Sequence, residues 1–198
     1  MLISDIKDYL CKELDIKNKI QLEYVDLNAP QCYPEIRKIQ IVRRQNWNEI
    51  YQLSHELLHI SFYEHNENTF AKDCIWIEEI VCEAYSIMCL ERFARDERIQ
   101  WLGYLYNDFY IRNGNVNNVD TVSSVDELNK KVSGYKEFCI RQFIHPTALR
   151  IKSVIECNSK ELIEFLDYQK YVEDGRLTLI NDNKILQILF DFQELIEN

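Results

Sequence analysis

From Trp47 to Tyr63 the apolar residues Ile50, Leu53, Leu57, Leu58 and Ile60 recur at helical spacing, which commits the stretch to a helix with one face in a core. Asn46 followed by Glu49 reads as the capping box that opens it. Inside that helix lies His55-Glu56-Leu57-Leu58-His59. Side chains four residues apart point within ~40° of one another, so both imidazoles can grip one metal ion. Glu56 projects ~100° further round, where it can hydrogen-bond a water on that ion without taking a coordination position. Two imidazoles leave a cation short of ligands. A further donor must come from elsewhere in the chain.

The next helical pattern, over residues 73–95, carries Glu78, Glu79 and Glu83 among Ile75, Ile80, Val81, Ala84, Ile87 and Met88. The first reading makes Glu79 the third ligand. Glu83, one turn on, then accepts a hydrogen bond from a ligand histidine's second nitrogen, since a metal-bound imidazole nearly always has such a partner. Glu78 or Glu83 can instead be the ligand. His65 completes a metzincin spacing, but that pattern needs glycine where Phe62 stands. On a continuing helix His65 lies ~240° from His59 and cannot reach the ion. Cys82, ~60° from the Glu79 direction, is a possible thiolate ligand whose ordinary role is a small core residue.

With His55, Glu56, His59, Glu79 and Glu83 in place, the sequence resembles the gluzincin zinc metallopeptidases. The stretch Glu79-Ile80-Val81-Cys82-Glu83-Ala84-Tyr85 is similar to the ligand helix of the anthrax lethal factor protease domain, and more faintly to ImmA/IrrE-like proteases. The likeness covers residues 37–90. It implies an α+β, mostly helical zincin-like core, with zinc held by His55, His59, Glu79 and water. It also implies hydrolysis of a peptide or protein substrate, with Glu56 as general base and then proton donor to the leaving nitrogen. An oxyanion donor is expected from His145 or Tyr85, or from Tyr104, Tyr106 or Tyr110. His145 precedes Pro146 and reads otherwise as a helix-end residue. In such folds the strand ahead of the active helix borders the cleft, so residues 36–42 are expected to pair with an extended substrate.

The net charge of −10 argues against nucleic acid as a partner, because no basic patch offsets it. Seven cysteines without a Cys-x-x-Cys pair suit reduced thiols in the cytoplasm, and neither an export signal nor a membrane span is legible. Along the chain the patterns predict a helix at 4–15 with Ser4 as N-cap, strands at 20–27 and 36–42 and a loop at 28–35 between them. After the two site helices they predict a helix at 98–112, a loop at 113–124, helices near 125–144, 159–172 and 183–197, and a short strand at 176–180. Residues 1–112 form the expected catalytic core and 125–198 a helical C-terminal lobe packed on it as one domain. The competing function is a non-catalytic metal-binding regulatory or protein-interaction domain. Glu56 speaks against that alternative, since a purely structural ion needs no base.

Overall fold

In the computed structural model, which describes residues 2–26, 29–44, 46–69, 73–94, 122–133, 137–178 and 181–198, the chain is α+β. Helix α1 (Ile3–Glu13) buries Ile6 and Leu10, with Leu14 just beyond its end. Its N-cap is Leu2 rather than Ser4. The Asp5 carboxylate, at the third helical position, reaches back to accept from the Leu2 N–H at 3.3 Å. Strands β1 (Gln21–Val25), β2 (Gln31–Tyr33) and β3 (Lys38–Val42) form one sheet in the order β1-β3-β2, with β1 parallel and β2 antiparallel to β3.

β2 occupies the stretch expected to be a loop. Its two prolines flank the strand instead of interrupting it: Pro30 precedes it, and Pro34 opens a 3₁₀ turn (Pro34–Ile36) that leads into β3 through Arg37 at φ 53°. The central place of β3 corrects the substrate-strand expectation. β1 pairs along one edge from Lys38 to Val42 and β2 along the other from Lys38 to Gln40, so over Lys38–Gln40 neither edge is open to another chain. Among the described residues no strand pairs with the outer edge of β2.

Helix α2 (Asn46–His65) lies against β3 and buries Ile50, Leu53, Leu57, Leu58 and Ile60 completely. Glu49 does reach back over its start, but to the Arg44 N–H at 3.1 Å. The helix runs straight through Phe62, which packs edge-on against Phe165 and Tyr168. His65 therefore stays on its own helix, its Nδ1 2.8 Å from the Ser61 carbonyl, and the metzincin reading fails as the ~240° offset requires.

Helix α3 (Ile75–Phe93) is wedged between α2 and α5 (Glu137–Cys157), so nearly every side chain from Trp76 to Leu90 is buried, Glu78 and Glu83 included. Helix α4 (Val125–Val132) is capped by Ser124, whose Oγ accepts the Glu127 N–H at 3.2 Å. α5 continues through Pro146, where the sequence pattern placed a helix end. One backbone bond is lost there, but the buried stripe Ile140, Ile144, Ala148, Ile151 and Ile155 packs on α3 and α7 (Lys184–Glu197) on both sides of the proline. Between them stand α6 (Lys160–Phe165) and the hairpin β4 (Val172–Glu173)/β5 (Arg176–Leu177). Its turn residues Asp174 and Gly175 both have positive φ, and a Cβ on Gly175 would stand 2.4 Å from the Asp73 carbonyl oxygen.

One continuous core joins α1 to α7. The expected helix at 98–112, most of the loop at 113–124, and Tyr104, Tyr106 and Tyr110 lie outside the described residues. Among the described residues no helix is long and apolar enough to cross a membrane.

Candidate metal centre

Where α2 and α3 cross, three side chains converge. His55 Nε2 and His59 Nε2 stand 3.3 Å apart, and the two oxygens of Glu79 lie 3.3 Å from the first and 3.2 Å from the second. Two donors bonded at about 2.0–2.1 Å to a tetrahedral cation are about 3.3 Å apart, the separation of the two imidazole nitrogens, and Glu79 meets each of them with a different oxygen. A fourth donor is near. The ligand atoms of His55, His59 and Cys82 all lie within 4.8 Å of one another, and this buried group could hold a metal ion.

The second nitrogen of His59 is held by Glu78, Nδ1 to Oε2 at 2.9 Å, while Glu78 Oε1 accepts the Tyr168 hydroxyl at 2.9 Å. The orienting carboxylate thus sits at Glu78, where Glu83 had been expected. One residue before Glu79 is ~100° round the helix, the side on which His59 presents its second nitrogen. His55 Nδ1, by contrast, is buried with no hydrogen-bond partner among the described residues.

Glu83 belongs to a polar layer one turn below the donors. The Tyr51 hydroxyl donates to it, Arg141 approaches it at 3.4 Å, and its Oε1 lies 3.3 Å from His145 Nδ1. Arg141 also bonds the Tyr51 hydroxyl and lies over its ring. Each helix supplies one spaced pair: Tyr51 and His55 on α2, Glu79 and Glu83 on α3, Arg141 and His145 on α5. This repetition was the available signal for Tyr51 and Arg141, which the sequence reading passed over. His145 is therefore engaged below the donors and is not a helix-end residue. Tyr85, the other expected oxyanion donor, points away from them and gives its hydroxyl to Glu13 of α1 at 2.9 Å.

The charges fit this geometry. Burial alone would raise the Glu79 carboxyl, yet the two imidazoles hold it well below the usual carboxylate range. Burial likewise opposes a charged His59, but Cys82, Glu78 and Glu79 around it raise its pKa well above the ordinary value. Burial pushes the Cys82 thiol up to about 12 against the pull of His59. Above the donors opens a cleft of about 500 Å³. Its walls include Glu56, Glu79 and Arg141, with Cys32 from β2 among them. Six of the seven cysteines are described, and all six are free thiols; the Cys139 side chain lies outside the description.

Glu78→Gln is expected to keep the fold and weaken metal affinity by about 10- to 100-fold, as loss of an orienting partner does. Competition with a chromophoric chelator measures it. An unchanged affinity would mean that Glu78 serves only Tyr168.

Compared with known proteins, the chain matches no family model, no curated protein and no solved structure.

Proposed function

We propose that the protein is a zinc-dependent peptidase. The observation that carries this reading is the placement of Glu56. It lies in the cleft wall beside His55, His59 and Glu79, whose polar atoms meet at 3.2–3.3 Å, and it is not one of those three. Two imidazoles and a carboxylate suit zinc, which when bound supplies a Lewis acid for a carbonyl and lowers the pKa of a water to ~7.

The rest is done by the chain. Glu56 takes the proton of the attacking water and passes it to the leaving nitrogen. Glu78, itself held by Tyr168, keeps His59 in the tautomer whose Nε2 faces the ion. Arg141, braced by Glu83 and Tyr51, brings a permanently cationic donor to the cleft wall. There it can stabilise a carbonyl oxygen as negative charge develops, the task first assigned to His145 or Tyr85. The outer edge of β2 offers main-chain hydrogen bonds to an extended peptide, in place of the central β3. An acidic chain lined in this way disfavours nucleic acid and leaves peptides as the fitting substrate class.

A second reading, a metal-holding domain without catalysis, is favoured by the buried Cys82 beside the histidines. The two separate on one experiment. Protein purified without added metal should carry one zinc per chain. It should cleave a degenerate peptide library, lose that activity to a chelator and regain it with zinc. Stoichiometric zinc with no cleavage of any library member would select the second reading.

A further inference from the structure

Cys82 has no part in the chemistry above, yet it lies against it. It is fully buried and stands three residues past Glu79 on α3, so the two side chains are neighbours on the helix surface. Its sulfur lies within 4.8 Å of ligand nitrogens of both His55 and His59. Glu79 lines the cleft, whereas Cys82 does not. The two imidazoles are therefore flanked by a hard carboxylate on the open side and a soft sulfur on the core side.

We propose that Cys82 is the fourth protein ligand, so that the resting ion is held by His55, His59, Glu79 and Cys82. On binding, the thiol gives its proton to solvent and the sulfur forms a bond to the cation, with no change of oxidation state. A tetrahedral zinc bonded to nitrogen at about 2.0–2.1 Å and sulfur at about 2.3 Å puts those atoms about 3.6 Å apart, within reach of the spacing observed. His59 is pinned by Glu78, whereas His55 Nδ1 has no hydrogen-bond partner among the described residues, and a turn of its ring closes the set.

Four protein donors make a closed site, with no coordination position left for water or substrate until the sulfur leaves. A soft donor also biases the centre toward zinc, cobalt or cadmium over magnesium or calcium. The inference rests on the reading of the centre as an ion site and is independent of whether peptide is cleaved.

The test uses the full chain, freed of metal and loaded anaerobically with cobalt(II) alone. The expected spectrum has visible ligand-field bands together with a near-ultraviolet thiolate-to-cobalt charge-transfer band. Cys82→Ser should lose the charge-transfer band and keep shifted visible bands, while Cys32→Ser, at the cleft thiol, should keep both. Visible bands without charge transfer in the wild type would overturn the proposal and leave the ion site standing on His55, His59 and Glu79. Charge transfer that survives Cys82→Ser and disappears with Cys32→Ser would overturn it in favour of the cleft thiol. Absence of every cobalt band would remove the ion site and the proposal together. The wild-type spectrum decides whether sulfur is bound even if a variant misfolds.

Discussion

Glu56→Gln is expected to lower peptide hydrolysis by about 10²- to 10⁴-fold while zinc content and unfolding midpoint stay at the wild-type values. The amide has nearly the shape of the carboxylate, and in the proposed centre position 56 is not a ligand, so the contacts among His55, His59 and Glu79 at 3.2–3.3 Å are left in place. What disappears, on the proposed mechanism, is the carrier for both proton transfers. His55→Ala would also abolish activity, but through loss of the metal, and so would not distinguish a base from a ligand. Equal hydrolysis by wild type and Glu56→Gln, at equal zinc content, would remove Glu56 from the mechanism. A biological effect that survives the substitution in a protein that cleaves nothing would move the function to metal-dependent binding.

The convergence of α2 and α3 was legible because it depends on local periodicity. His55 and His59 share a face by arithmetic, and the buried pattern around Glu79 requires that helix to lie against another. Glu78 and Glu83 were harder to rank, because both are buried carboxylates on one helix and only the crossing angle decides which meets His59. Tyr168, which fixes Glu78, comes from a distant part of the chain that no local pattern ties to the site. β2 was hidden by its flanking prolines, and the run of α5 through Pro146 by a rule about single residues that a long buried stripe overrides. Tertiary packing, absent from any local window, settled each of these cases.

That packing sets the second large expectation, at Glu83. Its carboxylate is almost wholly buried and meets Tyr51, Arg141 and His145 from two other helices, with the Arg141 side chain itself only 15 % exposed. Glu83→Ala removes a counter-charge from beside a guanidinium that is largely out of water. Such a loss costs about 3–5 kcal/mol, a large share of the ~5–15 kcal/mol that holds a domain folded. Urea denaturation at neutral pH should show it. The sign with pH follows from the same contacts. Burial alone would raise the Glu83 carboxyl, but His145, Arg141 and Tyr51 hold it below the usual carboxylate range. Its stabilisation is therefore fully present above the unfolded-state value of about 4.3 and fades as pH falls through the lower folded value. The gap between wild type and Glu83→Ala should accordingly narrow on acidification below about pH 4. A gap under about 0.5 kcal/mol at neutral pH, the size of an ordinary surface change, would show that α2, α3 and α5 hold together without this layer, and that Arg141 is braced by something else.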